Sequence, residues 1–535
     1  MLTLAEARMM LADLGFWFLR TPPTNNVAFW VELATREFQR YARLPKVAKD
    51  PTPGGPVDEY PRRLVQVEVD NTSRLPATVP VDGDYNNPET EARIRAWHAG
   101  DTNWRIPIVI SAWNTKANGE PLGIRPKCSN IWLAKEVAVS KRVRMYATDL
   151  TDLYMPFHPV GRFLLVGSYV KFPPWGGPQS AAGRHTIMKI TYERLTGDLP
   201  DPPTTPEQER RQKTYRVIAG VAAAEAENYF DALNAYDDSV ISVGFYQWTL
   251  GRVLKDANQN LRITSGELGG YMALLKDRKA QYDDPAFDDV LGRWDLDVNH
   301  DWDNTDLFND DNKTYTTHLT EKQKVGGVFQ SVAIRDGNRA QFFQSWHWFY
   351  RFQAATRFLS PFRWSMWHMA RVRLRDVLST PWPANLPNTP TPKFRREDGT
   401  LRSATIGEVY RSEMSLAIVL RWHVWAPGEV IFDGAVGRAI RRAFTRACQG
   451  SPEGPGVNPS LPVQDWPGEY EEALIVGLLK QAPLKVFDND TRVRDHFVGS
   501  LARVRAAETS ELTPSKLQRS RDFDFDDTNL PPPQP

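Results

Sequence analysis

Val217 to Leu250 reads VIAGVAAAEAENYFDALNAYDDSVISVGFYQWTL. Ile218, Val221, Ala222 and Ala226 recur at helical spacing, and Ala222 to Ala224 is a strong helix former, so the stretch opens as a helix. That helix ends on two carboxylates, Glu225 and Glu227, and an aromatic pair follows, Tyr229 and Phe230. A polar turn from Asn234 to Asp238 comes next. The stretch closes on Ser242-Val243-Gly244-Phe245-Tyr246-Gln247-Trp248. A carboxylate at a helix end, flanked by apolar and aromatic groups, sits where desolvation disfavours the charged form. Such an acid keeps its proton near neutral pH, as a group that protonates a leaving glycosidic oxygen must.

The order of these parts resembles the lysozyme-like superfamily, in particular lytic transglycosylases and related muramidases. Their signature is a helix ending in Glu, then Phe, an irregular stretch and a Ser-x-Gly-x-x-Gln turn. Glu227 precedes Phe230 at that spacing, and Ser242, Gly244 and Gln247 form the later turn. The resemblance is confined to this stretch. It implies Glu227 as the catalytic acid, with Glu225 next in line for that role. It also implies that Ser242, Gly244, Tyr246, Gln247 and Trp248 shape the cleft floor under the scissile sugar. Asn228 follows the Glu where the family has Ser, and no later Ala-Tyr-Asn-Ala-Gly element is found. Asp237 is a second carboxylate that could hold a water or stabilise an oxocarbenium-like transition state. Turn Asp residues also bond their own backbone, and both readings stand. Enzymes of this kind can work with a single Glu, the substrate's N-acetyl group assisting, so no cofactor is required.

Composition narrows the function classes. The 535 residues are 41% hydrophobic and 24% charged, ordinary for a globular chain of several domains. The net charge is +1, so no global field favours nucleic acid or a membrane surface. The 18 Trp suit both cores and the flat platforms on which sugars stack. Two cysteines, Cys128 and Cys448, exclude a disulfide-stapled scaffold and a Cys-based zinc cluster. Met1 to Arg20 has no basic leader and carries Glu6 and Asp13, unlike a Sec signal peptide, and no apolar run reaches the length of a membrane span. The expectation is synthesis in the cytoplasm. The chain would act on the wall after lysis or after delivery by phage, secretion or injection machinery.

The organisation expected is multidomain α+β. Residues 1–46 read as a small helical unit, with Leu4, Ala7, Leu11 and Leu14 on one helix and Val31, Ala34, Phe38 and Tyr41 on a second. Leu11-x-x-Leu14-Gly15-Phe16 and Ala34 to Leu44 resemble peptidoglycan-binding domains of the three-helix type, although Thr21 to Phe29 stands in place of their Asp-Gly-x-Phe-Gly turn. Residues 47–197 read as a β-rich domain of unknown role, with strands at Leu64–Val69, Ile108–Ser111, Val137–Val143 and Phe163–Val170. A Pro-rich linker spans 198–207, a mainly α lysozyme-like domain 208–508 and a disordered tail 509–535. Helices are expected at Gly269–Gln281, Lys322–Ala333, Asn338–Phe358, Trp364–Val377, Ser403–Trp425, Ala435–Cys448 and Glu469–Gln481. The nearly apolar run from Phe342 to Arg351 would be the buried central helix.

Two acidic combs are similar to calcium loops. Asp256 to Glu267 places oxygen donors at the ligand positions, and Asp295 to Asp306 is a looser copy. Leu261 and His300 stand where such loops need Gly, so calcium remains an alternative to a polar loop whose Thr264 or Ser265 caps the next helix. His347, His368 and His423 lie in Trp-containing runs without metal-pair spacing and read as core histidines, so no metal site is expected. Two functions follow. The first is a glycosidase cutting the MurNAc-GlcNAc backbone of peptidoglycan glycan strands, by hydrolysis or anhydro formation. The second is a structural or adaptor part of a phage-like or contractile injection assembly, with an inactive lysozyme-like domain.

Overall fold

The computed structural model describes residues 1–13, 27–42, 47–49, 64–66, 75–99 apart from 77 and 81, 203–226, 230, 232–234, 240–251, 253–255, 258, 261–263, 266–282, 286–292, 296–299, 318–334 apart from 326 and 327, 352, 355–356, 360–384, 389–450, 455–480, 504 and 517–526. Helices and small antiparallel sheets alternate among them in a mixed α+β composition, about 57% helical.

At the N-terminal end, α1 (Leu4–Asp13) and α2 (Val27–Tyr41) pack together, and α3 (Pro88–Ala99) packs on α1. Ala7, Leu11, Val31, Ala34 and Phe38 are fully buried, as their spacing predicts. Helix α3 lies within the stretch read as β-rich, most of which is outside the described residues. Pro88 opens it, the Asn87 side chain accepts from the Glu89 and Thr90 amides, and Thr90, Ile94 and Trp97 form its buried face. Trp97 meets Phe38 edge to face at 5.1 Å, so the small helical unit reaches beyond residue 46. Buried Gln39 holds the turn ahead of α3. Its amide donates to Asp82 at 3.2 Å, and its carbonyl accepts from the Gly83 amide at 3.0 Å. Strands β1 (Val47–Lys49) and β2 (Leu64–Gln66) pair antiparallel. The other three expected strands lie outside the described residues.

Helix α4 (Pro206–Ala226) begins inside the expected linker. Thr205 and Gln208 cap it reciprocally, each side chain meeting the other's amide at 3.2 Å, and Pro206 takes the first helical position. From Lys213 to Ala226 it is largely buried. Three short strands follow it: β3 (Leu233–Asn234), β4 (Ser242–Val243) and β5 (Trp248–Thr249), in antiparallel order. Then come a hairpin, β6 (Val253–Lys255) with β7 (Leu261–Ile263), and helices α5 (Glu267–Tyr282) and α6 (Ala286–Val290).

The expected helix at Lys322–Ala333 is a hairpin instead. Strand β9 (Leu319–Val325) pairs with β10 (Val328–Ala333), and β8 (Leu296–Val298) joins β9's other edge. Gly326-Gly327 between two β-branched residues is the hairpin signal that outweighed helical spacing.

Helix α7 (Ser360–Ser379) follows, and β11 (Lys393–Arg395) pairs with β12 (Leu401–Ser403). The expected helix from Ser403 to Trp425 is broken in two. Thr405 caps a short α8 (Ile406–Val409), the chain extends at Tyr410, and Ser412 caps α9 (Glu413–Trp425). Helix α9 is buried from Glu413 to His423 and packs on α4 and α7, which makes it a central helix of this body; the run from Phe342 to Arg351, expected as a buried central helix, lies outside the described residues. After α10 (Pro427–Val430) and a small hairpin of β13 (Ile431–Phe432) and β14 (Ala435–Val436), α11 (Arg438–Gln449) packs on α12 (Tyr470–Lys480).

Residues 517–526, expected in a disordered tail, lie against this helical body. Gln518 accepts from the Met414 amide at 3.1 Å, and the Phe523 amide donates to Arg411 at 2.9 Å. Lys213 ion-pairs with Asp522 at 3.2 Å, Arg371 with Asp526 at 3.4 Å, and Arg521 with buried Glu471 at 2.7 Å. Leu517 presses on Gly220 of α4. Low hydrophobicity made this segment read as disordered; its anchors are cations far away in sequence.

His368 on α7 is 5% exposed, and burial together with Arg371, Arg278 and Arg375 pushes it down to about 3. A histidine that is neutral in the fold and free to charge when unfolded contributes stability above its unfolded value near 6.5, and that contribution is lost as pH falls toward 3. Stability is expected to drop by about 2 kcal/mol between pH 7 and pH 5 from this group. Urea midpoints at both pH values check it: His368→Gln should flatten the difference, and an equally steep difference in the variant would refute the assignment.

Candidate functional site

Glu227 and Asp237 lie outside the described residues, so the expected acid and its second carboxylate carry no geometry. Glu225 sits in the last turn of α4. Its carboxylate is 2.7 Å from the Arg421 guanidinium of α9, with the two side chains 17% and 3% exposed. Arg421 also lies over the Trp425 ring, 5.1 Å from its centroid. The pair fastens the carboxylate end of α4 to the central helix.

The Ser-x-Gly-x-x-Gln stretch forms the link between β4 and β5. Gly244 has φ +81°, and its amide donates to the Ala232 carbonyl at 2.8 Å. Gln247 has φ +55°, and its backbone and side-chain amides both donate to the Gly244 carbonyl, at 3.0 and 2.7 Å. Its side-chain oxygen Oε1 is enclosed with no donor among the described residues. A methyl group at Gly244 would stand 2.8 Å from the Trp248 ring and 2.9 Å from Met366. Gly244→Ala is therefore expected to cost about 2 kcal/mol or more, from the left-handed backbone and from overpacking. A thermal melt would show it, and an unchanged midpoint would mean that the turn relaxes.

Behind this turn is an aromatic cluster. Phe245 meets Phe230 at 4.7 Å, Tyr246 at 4.8 Å and Trp248 at 5.1 Å, all edge to face, and Trp248 stacks on Tyr271 at 5.8 Å. The Tyr246 hydroxyl donates to the Ile218 carbonyl of α4 at 3.2 Å, tying turn to helix. Burial holds that phenol well above the ordinary tyrosine value; Arg373 works against the shift and Glu225 adds to it. Ser242, Tyr246 and Trp248 are at most 1% exposed. This corrects their expected role as a surface beneath the sugar, because rings wholly enclosed by other rings support a floor from below and present no face to a ligand. Of the described candidates, Glu225 and Gln247 keep partial exposure.

No known protein family, curated protein or solved structure matches this chain.

A second polar layer was not foreseen. Arg373 of α7, with no exposed surface, ion-pairs with Glu267 at the start of α5. Its guanidinium also faces the His423 Nδ1 and carbonyl oxygen, each at 3.3 Å. A guanidinium only donates, so Nδ1 accepts and His423 is neutral. Burial first and Arg373 second hold it well below the ordinary histidine value. Glu267 is also the residue that would close the calcium comb, and it is committed to Arg373. Leu261, at the comb's turn position, lies in strand β7. Asp256, Asn260 and Thr264 are outside the described residues, among which no group of three or more His, Cys, Asp or Glu could hold a metal. The signal for these partners was present in sequence: Arg421 interrupts an apolar run, and a charge there must find a buried counterion.

Proposed function

We propose that this chain is a peptidoglycan glycosidase of the muramidase or lytic transglycosylase kind, cutting the MurNAc-GlcNAc backbone with Glu227 as general acid. One observation carries the reading: the carboxylate end of α4 and the Gly244–Gln247 turn are fastened to a single frame. Tyr246 of the turn bonds Ile218 of the helix, and Gly244 bonds Ala232 just past the helix end. The end of α4, Phe230 and the Ser-x-Gly-x-x-Gln turn, apart along the chain, are thereby held together, and the proposal sets Glu227 beside them. Gln247 leaves an acceptor beside them. The N-terminal helices would serve as a wall anchor, and no calcium enters the chemistry. No described helix is long and apolar enough to cross a membrane, and delivery to the wall would rest on lysis or on secretion or injection machinery.

A structural or adaptor role in a phage-like or contractile injection assembly is the second reading. It is favoured by the Glu225–Arg421 pair and by the enclosure of Tyr246 and Trp248, which build this stretch as core. Turbidity loss of purified peptidoglycan, with mass spectrometry of the products, separates the two. Anhydro or reducing ends support the glycosidase and name its reaction. No turnover across pH, with and without calcium, moves the chain to the structural reading.

A further inference from the structure

Many arginines in the described body have carboxylate partners: Arg216 pairs with Glu413, Arg373 with Glu267, Arg395 with Asp465, Arg402 with Glu408, Arg421 with Glu225 and Arg519 with Glu472. The first turns of α11 depart from this. Arg438, Arg441 and Arg442 share the face opposite the buried Ala439, Ile440, Ala443, Phe444 and Ala447. None of the three has a carboxylate within ion-pair distance among the described residues, and the Arg441 Nε is enclosed without an acceptor. Burial, then the Arg438 and Arg442 charges, lower the Arg441 guanidinium from its ordinary value, with Glu429 opposing from a distance. The first turn holds no acidic residue, and the N-cap, Gly437, makes no side-chain cap bond. Cations in the first turn oppose the helix dipole. The cluster therefore opposes its own helix and itself, and an external anion would relieve both conflicts.

We infer that Arg438, Arg441 and Arg442 bind the carboxylates of the peptide stems carried by the glycan substrate, an assignment that rests on the proposed action on peptidoglycan. Planar guanidinium forks match carboxylates in bidentate geometry. The hairpin leading into α11 presents Phe432, 51% exposed, an apolar face of the kind on which a sugar ring packs. A lipid surface fits less well: the apolar face of α11 is already buried in the core and cannot insert. Nucleic acid fits less well because the whole chain carries a net charge of only +1.

Cosedimentation of the full chain with insoluble peptidoglycan tests this, in a Glu227→Gln background so that cutting does not release the protein. Binding should weaken about tenfold or more in Arg438→Glu/Arg442→Glu, with rising salt, and on peptidoglycan whose carboxylates have been amidated. The melting temperature of the double variant should hold or rise, since carboxylates suit a helix start. Unchanged binding by the variant, equal binding to amidated polymer, or tighter binding of the wild type to double-stranded DNA or phosphatidylglycerol vesicles overturns the assignment. Absence of turnover with salt-sensitive binding intact would sink only the glycosidase reading. Turnover with no such binding would sink only this one.

Discussion

If the chain is the glycosidase proposed above, Glu227→Gln is expected to slow peptidoglycan cleavage by roughly 10²–10⁴-fold, the usual range for loss of a general acid, with the chain still folded. The amide keeps the size of the acid and loses the proton that the leaving glycosidic oxygen needs. Glu225→Gln should behave differently. It takes the Glu225 carboxylate from the Arg421 guanidinium, 3% exposed, at the point where α4 meets α9, so the fold weakens while chemistry at permissive temperature persists. Initial rates of turbidity loss, read beside melting temperatures of both variants, decide between them. A Glu225→Gln enzyme that melts normally and is inactive, beside an active Glu227→Gln enzyme, would transfer the acid role to Glu225.

Arg373→Met is expected to destabilise the helical body by about 3–5 kcal/mol, the cost of removing one partner of a buried ion pair. Arg373 has no exposed surface and Glu267 is 6% exposed, so water cannot replace the lost partner. His423 loses its donor at the same time, and the ring of Tyr246 loses a cation 6.0 Å from its centroid. The double change Arg373→Met/Glu267→Leu should recover most of the loss, because an apolar pair of similar volume is tolerated where a lone carboxylate is not. Urea denaturation of the three proteins checks it. A single variant within 1 kcal/mol of wild type, on the order of an exposed pair, would show that water reaches the site.

Local chemistry was legible wherever one residue type leaves few options. Apolar spacing placed α1, α2, α5, α7 and α12 with small errors at their ends, and found α4 from Val217 onward while missing its start at Pro206. It failed where two local signals competed. Gly326-Gly327 turned an expected helix into the β9–β10 hairpin, and Ser412 restarted a helix read as continuous. It also failed at α3, where a helix with strong caps sat in a Pro- and Gly-rich region.

The sequence by itself determined the helix that carries Glu225 in its last turn, because helix periodicity is a local property, while only a resemblance singled out Gly244 and Gln247 as a turn after it. It could not determine which side of that turn faces outward. The resemblance puts Tyr246 and Trp248 in a binding floor, and only the packing of α5 and α7 against them encloses them. Nor could it pair Glu225 with Arg421, Glu267 with Arg373, or Lys213 with Asp522, which lie far apart along the chain. A charge in an apolar run announces that a partner exists. Which one it meets depends on how the helices cross, and that is a property of the tertiary structure alone.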